Sequence, residues 1–534
     1  MSTRTLRLAG AALLAAYFVV ILRDLPSMRF ELDDPNNIWI YWNAGFRRVL
    51  AANLTFWSTF YRPLGGLWYL TLFSLAKLDP LVYHLSRVPF LAANVWLSGR
   101  LARDLSGSSA IGWLAAVLMT YQGGLSGIYY SNDFIYDVLC YLFFYGALAF
   151  YVHIRIAGRF LRGIEMACFL ALYICALNAK EMGFTLPWVI LLFELLYDPP
   201  RLKSMEAWRR WWMPHARTAL IGMALAAIYF LGKRYGEHSL FYDSGYRPIF
   251  TWHQLWDRQA AYWNAWIYRW PVFTPGRVVL LYAALIGIAV MQRSRRVAMA
   301  LAIGLFATLP IAFVPGREGP ATYIPFFGWV LLGSIAVGSG IRFFSAAVAV
   351  APARRQVVHV VLLCAFLAVV WRGNERERRF QVGYFHPHQA KISNVIAEFE
   401  NHAPAIRPNS SVLIVDDPFP GVWDASFIAR LWYRDKSLEF SLGNMMQPKP
   451  TPADYRQFDY VLGFTPDGTL VELKPPAARA GLFSITGAAP TWEPAPARPL
   501  RARSLCDSPQ WPPAGCQGSA SPRRGSGTRS HNRT

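Results

Sequence analysis

Charge is scarce in this chain: only 16% of its 534 residues are Asp, Glu, Lys or Arg, against about 25% in an ordinary soluble protein. Long stretches therefore carry no charge at all, and 54% of the residues are hydrophobic. A single large soluble globule is excluded. There is no C-x-x-C pair among the six cysteines, so a zinc site and a disulfide framework have no support. Cys140, Cys168, Cys175 and Cys364 lie inside apolar runs, where a lone cysteine acts as a small hydrophobe. Also missing are an internal repeat, a tetratricopeptide array and a Gly-rich phosphate loop. The first apolar run, Leu8–Leu22, follows Arg4 and Arg7 but leads into Arg23-Asp24-Leu25. Without a small-x-small cleavage site it reads as an uncleaved first helix with a cytoplasmic N-terminus.

What the chain has instead is a series of apolar segments. Beyond the first, candidate spans are Ile111–Gly124, Phe134–Val152, Ile164–Leu177, Phe184–Tyr197, Ala219–Leu231, Val278–Met291, Val297–Val314, Tyr323–Ile341 and Val357–Trp371. Several are short, so their polar flanks must contribute to the crossing. With the region Tyr61–Leu101, the expectation is an all-α polytopic membrane protein of about eleven transmembrane helices. The net charge of +21 is not a nucleic-acid signal, because its basic residues cluster in alternate gaps, as the positive-inside rule predicts. These clusters are Arg100 and Arg103; Arg155, Arg159 and Arg162; Arg201, Lys203, Arg209 and Arg210; Arg293, Arg295 and Arg296; Arg342, Arg354 and Arg355. All fall on the cytoplasmic side if Tyr61–Leu101 crosses an odd number of times. That region breaks at Leu78-Asp79-Pro80, so one of its two segments is expected to be interfacial or re-entrant.

The expected organisation is a transmembrane core over 1–375, with a first outer loop at about 24–60 and a long outer loop at about 234–275. A charged linker, Arg372–Arg379, leads to a small extracytoplasmic α/β domain over 380–475. In it Gln389–Glu400 has helical spacing, Ser411–Val415 and Phe458–Leu462 read as buried strands, and Leu470–Leu473 as an edge strand. His386-Pro387-His388 has too few companions for a metal site and reads as a loop. The Pro- and Arg-rich segment 476–534 is expected to be disordered.

The opposite gaps, on the outer face, hold the residues suited to chemistry. Asp33 and Asp34 are adjacent acids in the first loop. Desolvation at an interface raises a carboxyl pKa, which suits a general base for a hydroxyl; a solvated loop with an Asp-Pro turn is the plainer alternative. Lys180-Glu181 sits in a turn between apolar runs, with Pro187 six residues on. Ionisable groups at that depth are a functional signal, although charges at helix ends also snorkel. Arg317 lies in Val-Pro-Gly-Arg-Glu-Gly-Pro just before Tyr323-Ile324-Pro325. Its guanidinium suits a phosphate, with Tyr323 as a further donor, the alternative being an interfacial anchor. Arg62 occupies a similar position. Asp133 and Asp137 add acids at the outer end of another span, Asp133 reading as a helix cap.

The acidic pair of the first loop, then Tyr-Arg-Pro-Leu-Gly-Gly from Tyr61, then Ala-Leu-Asn-Ala-Lys-Glu-Met-Gly-Phe-Thr-Leu-Pro ending at Pro187, resembles the GT-C membrane glycosyltransferases. The likeness is to the branch of protein O-mannosyltransferases and tetratricopeptide-bearing transmembrane O-mannosyltransferases, here without the repeats. Arg317 with Tyr323-Ile324-Pro325 looks like the late Arg…Tyr-x-Pro element of that core. The resemblance covers roughly 1–375 and implies transfer of a sugar from a polyprenyl-phosphate donor to a lipid, glycan or protein acceptor on the extracytoplasmic face, in a bacterial inner membrane. It implies Asp33 as general base with Asp34 beside it or in its place. Arg62, Lys180, Arg317 and Tyr323 would hold the donor phosphate, and Glu181 would orient Lys180. Asp133 and Asp137 would support them. The resemblance fixes no cofactor, and a divalent cation at the acidic loop is compatible with it. A transporter or flippase for a lipid-linked or anionic solute is the alternative reading, and a non-catalytic envelope assembly protein the third.

Overall fold

A computed structural model describes residues 3–55, 60–200, 205–235, 247–268, 270–348, 351–419 and 421–474. The expected disordered tail, Arg201, Lys203, Arg269, Cys506 and Cys516 lie outside the described residues. The chain is an integral membrane protein: a helical core joined to a small four-stranded domain near its C-terminus.

Among the described residues five helices are long and apolar enough to cross a membrane. They are Leu8–Ser27, Asn132–Ile156, Arg295–Ala312, Gly319–Val348 and the apolar part of Arg354–His402. Trp208–His215 and Arg217–Lys233 meet at 58° and would add one broken span. Other expected spans fold as shorter apolar helices: Pro63–Ala76, Ser109–Thr120, Ile164–Ala179 and Pro275–Met291. At 1.5 Å per residue, the 14 residues of Pro63–Ala76 reach about 21 Å, short of the ~30 Å hydrocarbon thickness. The next helix, Pro80–Ser106, has 27 residues and is long enough. Asp79 separates the two by capping the second, accepting a hydrogen bond from the Leu81 N–H at 3.0 Å.

The interior is rich in tyrosine, with Tyr41, Tyr69, Tyr83, Tyr136, Tyr141, Tyr145 and Tyr173 among the fully buried side chains. Tyr141 packs against both Tyr145 and Tyr323, at 4.4 and 4.5 Å between ring centroids. Such rings fill space while their hydroxyls tie helices together, which matters where lipid offers no hydrophobic drive between helices.

Two loop expectations give way to helix. The first loop contains the helix Asp33–Ala44, so Asp34-Pro35 opens a helix and is not a solvated turn. The long outer loop contains Trp252–Trp266, whose Leu255, Gln259, Tyr262 and Trp266 are buried against the core. Likewise the linker at 372–379 and the loop at His386–His388 are both parts of one helix, Pro352–His402. Its 51 residues reach about 76 Å, far more than a bilayer requires. The charges that suggested a linker are instead used against the core. Asn374 accepts from the Gly123 N–H and donates to the Tyr121 carbonyl, both at 3.0 Å. Arg378 pairs with Asp24 and Glu375.

The C-terminal domain has strands β1 (Ser411–Val415), β2 (Glu439–Leu442), β3 (Tyr460–Phe464) and β4 (Leu470–Lys474) in the order β2-β1-β3-β4. β1 is parallel to both β2 and β3, and β4 closes the edge antiparallel to β3. The helix Asp424–Tyr433 makes the crossover from β1 to β2. Neither this helix nor β2 was expected. The strand is only four residues long, and its neighbours supply its burial.

Candidate active site

The helix Asp33–Ala44 splits the acidic pair. Asp34 is fully buried. Its Oδ1 accepts from the Tyr69 hydroxyl at 3.0 Å, and its Oδ2 from the Glu31 N–H at 2.9 Å and Asn132 Nδ2 at 3.4 Å. Asp33, one position earlier, is exposed and accepts no side-chain hydrogen bond among the described residues. Its carboxyl is nevertheless surrounded by enough protein to be partly desolvated. Burial pushes its pKa above the ordinary carboxylate value, and the charge of Arg317 opposes that rise. The structure thus brings Arg317 within electrostatic reach of Asp33. Desolvation, despite its hydrogen bonds, lifts Asp34 to about 6; desolvation and then the charge of Asp34 lift Glu31 to about 8.

Asp133 lies in the same group of acids, close enough to feel Asp33, Asp34 and Glu31. It is not the expected helix cap: its carboxylate accepts from the Ser131 hydroxyl, and the helix that follows begins at Ile135 without a side-chain cap. The segment carrying Asn132 and Asp133 is held by Arg87, which is fully buried and donates to the carbonyls of Ile128, Tyr129 and Ser131.

A second group lies across a layer of tyrosines. Arg62 has a left-handed backbone (φ 37°) just before the helix that Pro63 opens. Its guanidinium grips Glu181 with two donors, Nε at 3.3 Å and a terminal nitrogen at 3.0 Å. Burial alone would raise Glu181, but Arg62 holds it down to about 2. Lys180 pairs with Asp137 at 2.6 Å. The expected partnership is therefore exchanged: Asp137, and not Glu181, orients Lys180. Lys180 ends one helix in extended backbone and Glu181 starts a tight turn, so adjacent side chains diverge.

The Pro-Leu-Gly-Gly sequence explains how the two groups come together. A Cβ on Gly65 would lie 2.3 Å from the Tyr136 ring, and one on Gly66 would lie 2.5 Å from that of Tyr41. Only glycines let these rings lie on the helix. Tyr136 then donates to Asn37 Oδ1 at 2.9 Å, and the Tyr41 and Tyr136 hydroxyls meet at 3.0 Å.

Tyr323 is placed in the core, its hydroxyl accepting from Asn94 Nδ2 at 3.4 Å. Among the described residues the one group with ligating atoms close enough for a shared cation is Glu194, Asp198 and His215, not the first-loop acids. Glu194 is already gripped by Arg155, at 2.7 and 3.0 Å, and by the Tyr151 hydroxyl at 2.7 Å, which describes a structural ion-pair network.

Sequence reasoning missed Tyr69, Arg87, Asn132 and Lys233. Lys233 is buried and donates to the Phe60 carbonyl beside Arg62. A buried cation in an apolar segment is itself a signal, and both Arg87 and Lys233 carried it.

No protein-family model matches the sequence, and no curated protein does. Among solved structures the chain is similar to the crystal structure of ArnT from Cupriavidus metallidurans bound to undecaprenyl phosphate. The identity is 13% and the TM-score 0.46, over 86% of this chain and 93% of that one.

Proposed function

We propose that this protein is a membrane glycosyltransferase that moves a sugar from a polyprenyl-phosphate donor to an acceptor hydroxyl on the extracytoplasmic face. The observation that carries this reading is an exposed carboxylate, Asp33, within electrostatic reach of Arg317 and next to a buried acid, Asp34, whose oxygens are already engaged. Asp33 takes the proton of the acceptor hydroxyl as its oxygen bonds to the anomeric carbon. The bond from that carbon to the phosphate oxygen breaks on the opposite side, with inversion. Arg317 meets the charge that grows on the leaving phosphate, where fixed donors in a dry site act most strongly. Arg62 and Lys180 supply further positive charge, held in place by Glu181 and Asp137. Tyr323 secures the helix that follows Arg317.

The test is transfer from a panel of radiolabelled polyprenyl-phosphate sugars, in membranes containing wild type or Asp33→Asn. Label reaching a lipid, glycan or protein with wild type alone supports the reading. Absence of transfer from every donor, with folded and abundant protein, favours a transporter.

A further inference from the structure

The C-terminal domain is fastened to the helix that carries Asp33. Trp39 stacks on Phe427 at 5.3 Å, Arg430 lies over the Trp39 ring at 5.5 Å, and Lys436 donates to the carbonyls of Trp42 and Asn43 at 3.0 and 2.9 Å. This docking brings Asp424, which opens the crossover helix, within electrostatic reach of Asp33. Asp417, just after β1, lies within reach of Asp424 in turn. Three carboxylates, Asp33, Asp424 and Asp417, are thus electrostatically linked in sequence between the Asp33 helix and the end of the sheet.

That end has the topology of a binding crevice. β1 sits between two parallel neighbours, with β2 reached on one side and β3 on the other. In open α/β sheets ligands bind beyond the carboxyl ends of the strands where the order reverses in this way. Asp416, the first residue after β1, takes a left-handed backbone (φ 51°). Asp417 is 8% exposed; its Oδ1 accepts from the Phe419 N–H at 2.9 Å while its Oδ2 is buried without a partner. Asn444, after β2, donates to the Phe419 carbonyl at 3.0 Å and leaves its own Oδ1 buried and unpartnered. Buried acceptors left unmatched are costly, and two at one strand end point to a ligand that supplies donors.

We infer that the strand-end crevice of Asp417, Asp424 and Asn444 is the acceptor subsite, and that it takes a saccharide whose neighbouring hydroxyls donate to these oxygens. This rests on the glycosyltransferase reading, in which the acceptor already presents a hydroxyl to Asp33. A sugar ring with several hydroxyls can donate to Asp33 and to the crevice at once, whereas a lone ammonium concentrates its donors at one point.

The experiment uses the full chain in lipid nanodiscs and saturation-transfer NMR with mannobiose, cellobiose and glucosamine as probes. Wild type is expected to transfer saturation to a neutral disaccharide, with the signal at least fivefold weaker in Asp417→Ala and Asp424→Ala. Asp424→Glu, which keeps the carboxylate, is expected to restore part of it, and thermal melts establish that each variant is folded. No signal from either disaccharide with wild type, equal signals in the variants, or a signal from glucosamine alone would each overturn the inference. Disaccharide binding without turnover of any polyprenyl-phosphate sugar would leave the subsite standing and remove the proposed reaction.

Discussion

Asp33 and Asp34 are consecutive residues with opposite surroundings: Asp34 is fully buried and hydrogen-bonded to Tyr69, Glu31 and Asn132, while Asp33 is exposed and within electrostatic reach of Arg317. A helix turns successive side chains about 100° apart, so one residue can anchor the helix and the other can work. Asp33→Asn is expected to lower transfer by about 10²–10⁴-fold, the usual contribution of a general base, and to leave the melting temperature unchanged. Asp34→Asn is expected to do the reverse. Its amide nitrogen cannot accept from the Glu31 N–H, and a buried unsatisfied donor costs about 1–3 kcal/mol. Transfer assays and melts on both variants check the division of roles. Equal losses of activity at equal stability would sink it.

The rate should depend on pH through Asp33. A base works only when ionised, and burial holds this carboxyl above the ordinary value. Transfer is therefore expected to rise with pH through a limb that lies above the range of a free carboxylate, about 3.9. Arg317 pulls the other way, so Arg317→Ala should move the limb to higher pH as well as weaken donor binding. A limb that stays in place in Arg317→Ala would separate the two residues.

Stability should fall over the same range. Glu31 rises from 4.5 to about 8 on folding, Asp34 from 3.8 to about 6 and Asp424 from 3.8 to about 7. A carboxyl raised in the folded state favours folding when protonated. Its contribution is complete below the unfolded value and is lost as pH rises through the folded one. Melting temperature is thus expected to decline between roughly pH 4 and pH 8. Glu31→Gln should flatten the upper part of that slope, and an unchanged slope would mean that Glu31 is not the group concerned. Glu181, held to about 2, acts with the opposite sign but only below this window.

Gly65 and Gly66 admit no side chain. The Cβ of alanine would stand 2.3 and 2.5 Å from the rings of Tyr136 and Tyr41. Overpacking of this kind costs about 1–3 kcal/mol, and here it also displaces the hydroxyls that tie the two charged groups together. Gly65→Ala and Gly66→Ala should lower the melting temperature. Gly146→Ala, where nothing lies within 4 Å, should not.

Much of the plan was legible because membrane folds write their constraints into long apolar runs and charge placement. The runs Phe134–Val152 and Tyr323–Ile341 fall inside the helices Asn132–Ile156 and Gly319–Val348. β1 and the edge strand β4 were legible from their apolar patterns. What sequence could not give was partnership. Lys180 and Glu181 are adjacent, yet each pairs with a residue far away in the chain, 43 and 119 positions off. The continuity of Pro352–His402 was hidden for a different reason. Its charged segment resembles a linker until the facing residues of the core, Asp24 and Gly123, are known. Asp424 gave no signal at all, since its importance comes only from the docking of one domain on another.

The Lys180–Asp137 pair offers a way to tell function from structure. Both groups are shielded, with side-chain exposures of 10% and 2% and a separation of 2.6 Å. Lys180→Met would leave Asp137 buried without its cation, and breaking such a pair costs about 3–5 kcal/mol. Loss of activity in that variant alone would therefore say little. In Lys180→Met combined with Asp137→Leu both charges are gone, and replacing a buried pair with apolar residues of similar volume is often neutral or stabilising. The double variant is expected to regain most of the melting temperature while transfer stays low and the donor KM stays high, because the phosphate has lost a cation. Recovery of activity together with stability would show that the pair only holds the helices in place, and would leave Arg62 and Arg317 as the groups that meet the donor.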